Sequence, residues 1–283
     1  MTIAERRITA RDGISLFLRD FAPDEDSAKL PVLCLSGVTR TSRDFDRLAR
    51  HLSASGRRVL ALDYRGRGGS DRAKDPMTYT PQTYLDDIRA CLTALNLHRV
   101  HIIGTSLGGF LAMAVAVAMP TAVAGAVLND SGPDLPTDGL DRIVDHIADR
   151  TVHVDWNAAI AATKAALPDL NLSEDDWRRA AEGNYRAAPD GRIHPDWDPA
   201  IAIPLRKPAG LPDLWSLFGA LRDRPVLALR GELSKLLSEA CFARMAERHP
   251  GLQCATIPNR GHAPTLDEPE SRTAIDAFLA ALP

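Results

Sequence analysis

The chain has 283 residues, of which 45% are hydrophobic and 25% charged, a globular composition with room for one large domain or two small ones. The net charge is −3 without a long basic run, which argues against nucleic acid as a partner. The longest apolar stretch, Phe110 to Met119, is too short to cross a bilayer, and the first seven residues lack the apolar core of a signal peptide. We therefore expect a cytoplasmic protein that does not contact the membrane.

The first half of the chain alternates predicted strands and helices. An antiparallel pair is expected first, at Arg7 to Ala10 and Ser15 to Phe21. Further strands are predicted at Pro31 to Leu35, Arg58 to Leu62, Val100 to Ile103 and Val123 to Leu128. Apolar residues recur at helical spacing between them, as at Phe45, Leu48, Ala49, Leu52 and again at Tyr84, Ile88, Cys91, Leu92, Leu95. This alternation predicts an α/β fold on a parallel sheet with right-handed crossovers.

The alternation stops between Gly132 and about Trp215, where no buried strand is evident. Helices are expected there over Leu140 to Ala148, Trp156 to Ala166 and Glu174 to Tyr185, followed by a loop from Ala188 to Pro212. Alternation resumes with strands at Pro225 to Leu229 and Gln253 to Ile257 and helices at Glu239 to Arg248 and Pro269 to Leu282. We therefore predict a core of residues 1–132 and 216–283 and a helical insertion of residues 133–215. Trp156, Trp177, Tyr185 and Trp197 would give the insertion aromatic surface.

The segment Gly104-Thr105-Ser106-Leu107-Gly108-Gly109 lies between a predicted strand and a predicted helix. Gly-x-Ser-x-Gly in this context is typical of a nucleophile elbow, because the glycines allow a tight, strained turn. The turn exposes the serine hydroxyl at the helix N-terminus, where N–H groups favour developing negative charge. We therefore predict that Ser106 is a nucleophile.

A serine nucleophile needs a base, and His262 is the best placed of the eight histidines. It follows the last predicted strand, so its loop lies at the same sheet edge as the elbow. His101 is expected to be structural. The other six are expected at the surface: His51, His98, His249, His146, His153 and His194. For His146, His153 and His194, which belong to the insertion, a position that lines a pocket is the alternative.

The carboxylate that orients the histidine has two candidates, each at the end of a predicted strand. Glu232 lies in Arg230-Gly231-Glu232-Leu233-Ser234-Lys235, and Asp130 follows the strand that ends at Leu128. Asp130 has a second interpretation as a loop-capping residue before Gly132-Pro133. The residues alone leave these alternatives open.

Several motifs together resemble the α/β-hydrolase fold over nearly the whole chain. Beyond the elbow they are Leu35-Ser36-Gly37-Val38-Thr39-Arg40, Asp63-Tyr64-Arg65-Gly66-Arg67-Gly68-Gly69-Ser70, Leu128-Asn129-Asp130-Ser131-Gly132-Pro133, Arg230-Gly231-Glu232 and Gly261-His262-Ala263-Pro264. They are similar to a bacterial group of esterase-like hydrolases related to meta-cleavage-product hydrolases and cofactor-free haloperoxidases. The resemblance implies a mostly parallel eight-stranded sheet with a helical cap and an oxyanion hole formed by the backbone N–H groups of Val38 and Leu107.

The chain departs from that family at two positions. Lys235 stands where relatives usually carry the triad aspartate, and a lysine cannot accept the imidazole N–H. Asp130 is our preferred substitute because some α/β hydrolases place the acid there. Glu232 and the absence of any acid are the alternatives. Ser36-Gly37 replaces the common His-Gly, which leaves the backbone donors of the oxyanion hole in place.

These observations favour a serine hydrolase that acts on a small ester or related carbonyl substrate. Hydrolysis of a carbon–carbon bond in a vinylogous diketone is the alternative reaction, and a ligand-binding protein impaired by Lys235 is the alternative class. An aspartate nucleophile, as in haloalkane dehalogenases and epoxide hydrolases, is disfavoured by Ser106. We expect no cofactor or metal, because the cysteines (Cys34, Cys91, Cys241, Cys254) lack ligand spacing and are interpreted as buried free thiols. A homodimer is left open.

Two basic motifs have weaker interpretations. Arg65-Gly66-Arg67-Gly68-Gly69 lacks the lysine of a phosphate-binding loop, so we assign it a structural role at the rim of the site. Arg40 and Arg43 either face the pocket or are solvated charges at the start of a helix.

Overall fold

The structure is a computed structural model that describes residues 1–25, 27–134, 140–206 and 213–283. An eight-stranded sheet runs through these ranges. Ten strands occur in these ranges: β1 (Thr2–Thr9), β2 (Ser15–Ala22), β3 (Val32–Leu35), β4 (Val59–Asp63), β5 (Val100–Thr105), β6 (Val123–Asn129), β7 (Tyr185–Ala187), β8 (Ile193–Pro195), β9 (Val226–Gly231) and β10 (Leu252–Ile257). All but β7 and β8 belong to the large sheet, in the order β1-β2-β4-β3-β5-β6-β9-β10. The pair β7–β8 is a separate antiparallel hairpin.

The strand directions confirm the predicted mostly parallel sheet. From β4 to β10 every neighbouring pair is parallel, whereas β2 pairs antiparallel with both β1 and β4. Parallel strands are joined by crossovers, so their carboxyl ends emerge at one edge of the sheet. This edge is where the loops after β3, β5, β6, β9 and β10 come together.

Helices cover both faces of the sheet. The described α-helices are α1 (Asp46–Ala54), α2 (Pro81–Ala94), α3 (Leu107–Ala118), α4 (Leu140–Ala148), α5 (Trp156–Ala166), α6 (Glu174–Glu182), α7 (Ala202–Leu205), α8 (Leu214–Gly219), α9 (Glu239–Arg248) and α10 (Pro269–Ala280). Strand β3 shows the two-sided burial: Leu33 packs in the hydrophobic cluster that contains α2 and α3 residues, and its neighbour Cys34 packs with α1 and α10. Such alternation is expected of a strand buried on both faces.

The stretch from α4 to α8, here called the intervening segment (residues 140–219), is mostly helical, as the sequence predicts. It differs from the prediction in the β7–β8 hairpin, since Tyr185 begins a strand and α6 already ends at Glu182. Helix α7 and strand β8 occupy part of the predicted loop from Ala188 to Pro212, whose last six residues lie outside the described ranges. The division at 132/133 and 215/216 therefore stays a prediction.

The cysteines are free thiols, but one expectation about them was wrong. Cys34, Cys91 and Cys241 are buried, and burial raises the pKa of Cys241 to about 11. Cys254 is exposed because it lies on β10, the edge strand of the sheet. In the described ranges, no helix is long and apolar enough to cross a membrane.

Candidate active site

The predicted site residues follow three strands at the common sheet edge. Ser106 comes directly after β5, Asp130 directly after β6, and His262 in the loop after β10. Because β5 and β6 are neighbours and β9 lies between β6 and β10, these loops converge. The topology thus brings together side chains that are up to 156 positions apart in the chain.

Ser106 occupies a strained turn that needs its glycines. Its φ of 53° and ψ of −115° lie outside the regular regions for a residue with a side chain. A Cβ on Gly104 would lie 2.3 Å from the carbonyl carbon of Gly108, and a Cβ on Gly108 would lie 1.9 Å from the carbonyl oxygen of Leu35. The Ser106 N–H donates to the carbonyl oxygen of Asn129 at 3.1 Å, which anchors the turn to the next strand end.

His262 bridges the serine and the aspartate. Its Nε2 lies 2.9 Å from the Ser106 hydroxyl oxygen, and its Nδ1 lies 2.6 Å from Oδ2 of Asp130. A carboxylate beside Nδ1 fixes the tautomer with the proton on Nδ1, so Nε2 is free to accept a proton from the serine. The arrangement can remove the hydroxyl proton and stabilise the imidazolium that forms.

Asp130 is fully buried, and both of its carboxylate oxygens accept hydrogen bonds. Its Oδ1 accepts a hydrogen bond from the Gly231 N–H at 2.9 Å, which ties the β9 loop to the end of β6. Its Oδ2 faces His262 and also accepts a hydrogen bond from Ser234 at 2.6 Å. The carboxylate that contacts His262 thus also holds the loop after β9, whereas the predicted capping of the loop before Gly132-Pro133 is not among its described contacts.

The structure does not bring Glu232 or Lys235 to the histidine. Oε2 of Glu232 accepts a hydrogen bond from the Asn259 N–H at 2.7 Å. Nζ of Lys235 lies 2.7 Å from Oδ2 of Asp169, and its side chain is 82% exposed. The Lys235 charge is thus directed to the surface and neutralised by an aspartate of the intervening segment.

Two backbone N–H groups predicted to form an oxyanion hole flank Ser106. In the described ranges, neither the Val38 N–H nor the Leu107 N–H has a hydrogen-bond acceptor. Two side chains stabilise the loop that carries Val38. The Tyr64 hydroxyl donates to the Ser36 carbonyl at 3.1 Å, and Nε of Arg67 donates to the Val38 carbonyl at 2.8 Å. The motif assigned a structural role at the rim therefore contacts the oxyanion loop directly.

A cavity of about 590 Å³ opens above Ser106 and His262, within the range of small-molecule sites. The core contributes Gly37, Val38, Phe45, Thr105, Pro264 and Leu266, and the intervening segment contributes Ile143, Ala166, Leu167, Leu170, Leu172 and Ala180. Arg40 and Arg43 line it as well and bind the aspartates Asp44 and Asp196. They are therefore paired cavity residues.

Of the remaining histidines, His51 and His98 are exposed as predicted, His194 is partly exposed, and His153 is buried. His101 is buried as expected, but His249 is also buried against the Leu221 carbonyl, so its predicted surface position was wrong. His146 lines the cavity, which is the alternative considered for it. Trp177, Tyr185 and Trp197 are buried in the packing of the intervening segment rather than presented to the cavity.

Sequence reasoning missed two polar residues that position the site. Ser234, at the position before Lys235, holds Asp130, and Nδ2 of Asn129 donates to the Pro264 carbonyl at 2.9 Å in the His262 loop. Asn129 could have been suspected from its place beside Asp130 at a strand end. The role of Ser234 depends on a contact with a residue 104 positions away, which no local pattern reveals.

Comparison with known proteins gives consistent matches. The family model described as alpha/beta hydrolase fold matches residues 31–269. The chain is 30% identical over 249 residues to a 3-hydroxybutyrate-oligomer hydrolase of Cupriavidus necator, covering 84% of each, and 31% identical over 254 residues to a 2-(acetamidomethylene)succinate hydrolase of Mesorhizobium japonicum, covering 88% of each. A crystal structure of an alpha/beta hydrolase from Novosphingobium aromaticivorans is 43% identical, covers 99% of both chains and superposes with a TM-score of 0.93.

Proposed function

The chain belongs to the alpha/beta hydrolase fold family, and we propose that within it the protein is a serine hydrolase that cleaves a small ester or a related carbonyl substrate. The observation that carries this proposal is the continuous hydrogen-bonded series from Ser106 through His262 to Asp130, with contacts of 2.9 and 2.6 Å. Its relatives are named as hydrolases, which supports the same class of reaction.

The geometry suggests a two-step acyl transfer. Oγ of Ser106 attacks the substrate carbonyl while Nε2 of His262 accepts the hydroxyl proton, and the negative charge develops on the carbonyl oxygen. The N–H groups of Val38 and Leu107 stabilise this oxyanion. His262 then donates its proton to the leaving group, and it later deprotonates the water that hydrolyses the acyl-enzyme. Asp130 keeps the imidazole in the correct tautomer through both steps.

We propose Asp130 as the operative acid in place of Lys235. It is fully buried and in contact with Nδ1, whereas Lys235 is exposed and paired with Asp169. This arrangement supports a working triad and argues against the alternative of an impaired, ligand-binding protein.

We propose that the predicted helical insertion of residues 133–215, which contains most of the intervening segment, acts as a lid over the cavity. Its α4 to α6 region supplies a large part of the apolar wall of the cavity, through residues such as Ile143, Leu167 and Leu170. An apolar cover excludes water from the oxyanion and strengthens the hydrogen bonds that stabilise it.

The first test identifies the nucleophile without assuming a substrate. A fluorophosphonate reacts only with an activated serine, so intact-mass analysis should show one adduct on the wild-type chain and none on Ser106→Ala. Ser216→Ala, a change at an exposed serine, is the matched control and should label fully. Labelling of Ser106→Ala at the wild-type level would refute the assignment.

The second test decides the reaction. The wild-type chain should hydrolyse p-nitrophenyl acetate or butyrate, and His262→Ala should lose at least about 10³-fold in kcat/KM. The carbon–carbon alternative uses the same residues, so vinylogous diketones are assayed in parallel through loss of dienol absorbance. Turnover of the diketones without turnover of the esters would mean that the protein hydrolyses carbon–carbon bonds rather than esters.

A further inference from the structure

The carboxylates that line the cavity are all neutralised by arginines. There are four in the described ranges, each in an ion pair: Asp44 with Arg40, Asp46 with Arg19 and Arg50, Asp176 with Arg47 and Arg179, and Asp267 with Arg47 and Arg272. None of these carboxylates is left to attract a cationic substrate. A cavity of this kind does not select for positive charge.

The arginines of the cavity exceed its carboxylates. Four carboxylates line it, against five arginines: Arg40, Arg43, Arg47, Arg142 and Arg179. Burial, followed by the neighbouring Arg47 cation, lowers the pKa of Arg179, as expected where positive charges are crowded. The cavity lining therefore carries one more arginine than carboxylates, although the whole chain carries a net charge of −3.

Arg142 is the lining arginine without a carboxylate partner among the residues that the structure describes. It lies on α4, one turn before His146, and both line the cavity. Burial lowers the pKa of His146, so this imidazole is neutral near pH 7. Arg142 therefore supplies the positive charge on this face of α4.

Asn184 adds a second donor to the cavity wall. The residue is 4% exposed, and its Oδ1 accepts a hydrogen bond from the Thr39 hydroxyl at 3.2 Å. Its Nδ2 has no acceptor within the described ranges, and the residue lines the cavity. A substrate acceptor atom would satisfy it.

We propose that the natural substrate of this hydrolase carries a free carboxylate, which Arg142 and Nδ2 of Asn184 bind while Ser106 attacks the carbonyl group. The substrate class is thus an ester of a dicarboxylic or similarly anionic acid. This inference rests on the proposed serine hydrolase function. Arginine suits the task because its planar fork of N–H donors matches a carboxylate.

The experiment compares three p-nitrophenyl esters of equal acyl length, each rate corrected for release of p-nitrophenol without enzyme: glutarate monoester, which is anionic, pentanoate, which is neutral, and 5-(trimethylammonio)pentanoate, which is cationic. We expect kcat/KM for the glutarate ester to exceed that for the pentanoate ester by about tenfold or more, and the cationic ester to be the poorest. Because Arg142 is exposed to solvent, the preference should shrink at 0.5 M salt.

Variants assign the preference to the proposed residues. Arg142→Gln should reduce the anionic-to-neutral ratio of kcat/KM to about one, and Arg142→Lys should retain part of the preference. Arg150→Gln removes the same charge from an exposed position just beyond α4 that does not line the cavity, so the preference should persist. Equal kcat/KM for anionic and neutral esters in the wild type, or an unchanged preference in Arg142→Gln, would overturn the proposal.

A binding measurement separates this inference from the proposed function. In the Ser106→Ala background, glutarate should bind at least about tenfold more tightly than glutaramide by calorimetry, and Arg142→Gln should abolish the difference. If none of the esters is hydrolysed but this difference is found, ester hydrolysis is wrong and the carboxylate site stands. Equal binding of the two ligands overturns the carboxylate site whatever the esters show.

Discussion

Oδ2 of Asp130 accepts a hydrogen bond from the Ser234 hydroxyl at 2.6 Å, and the same oxygen lies 2.6 Å from Nδ1 of His262. The Ser234 oxygen in turn accepts hydrogen bonds from the N–H groups of Leu236 and Leu237. The loop after β9 is thereby folded around the carboxylate, and Ser234 holds Asp130 in the position from which it contacts His262.

Ser234→Ala should lower kcat/KM by about tenfold, because the loss of a hydrogen bond to a buried carboxylate leaves it less well oriented. The test is a double-mutant cycle with Asp130→Asn, assayed on a p-nitrophenyl ester. Since Ser234 is argued to act through Asp130, its replacement should have little effect in the Asp130→Asn background. Equal losses in both backgrounds would mean that Ser234 acts on the loop alone.

Asp130→Asn should lower turnover by about 10⁴-fold, because an amide favours the wrong imidazole tautomer and cannot stabilise the imidazolium. Glu232→Gln and Lys235→Asp should each leave turnover within about twofold of the wild type, since neither side chain reaches His262. Steady-state kinetics of the three variants is the measurement. A large gain of turnover in Lys235→Asp, with no loss in Asp130→Asn, would contradict the assignment of Asp130 and place the acid at position 235, as in the family's usual arrangement.

The fold and two of the three residues in the proposed triad could be predicted from local patterns. Residues close in the sequence indicate both the strand–turn–helix unit around Ser106 and the loop that carries His262. The choice of Asp130 over Glu232 could not be made in the same way, because it depends on β6 lying next to β9 in the sheet. The exposed position of Lys235 likewise depends on Asp169, which belongs to the intervening segment.

Arg67→Gln should lower kcat about tenfold while KM changes little. Arg67 is buried without an ion-pair partner in the described ranges, and its Nε donates to the Val38 carbonyl, so it holds the loop that carries the proposed oxyanion donor, the Val38 N–H. An arylboronic acid, which mimics the tetrahedral state, should bind more weakly to the variant in proportion to the loss of kcat/KM. Unchanged boronate affinity alongside a reduced kcat would contradict this role.

Gly108→Ala should destabilise the protein by about 3 kcal/mol or more, because its Cβ would lie 1.9 Å from the Leu35 carbonyl oxygen and would force the elbow away from β3. Gly219→Ala is the matched control, since nothing lies within 4 Å of a Cβ there and its effect should be small. Urea denaturation of the two variants gives the comparison. Similar unfolding free energies would show that the elbow relaxes without cost.

The free energy of unfolding should fall as the pH is lowered from 7 towards 5, partly through His101. Burial lowers the pKa of His101 below its usual 6.5, and the Arg57 cation acts in the same direction, while the hydrogen bond of Nε2 to the Pro283 carbonyl opposes them. Below about pH 6.5 the unfolded chain therefore binds a proton that the folded chain does not, so acid favours unfolding.

His101→Gln keeps a donor for the Pro283 carbonyl but does not titrate, so the variant should lose less stability than the wild type over this range. Urea denaturation at pH 7 and pH 5.5 measures the difference. His98→Gln, at an exposed residue three positions earlier, is the control and should follow the wild type. If His101→Gln shows the full wild-type loss, other groups account for the acid sensitivity, of which His146, also held neutral by burial, is the first to examine.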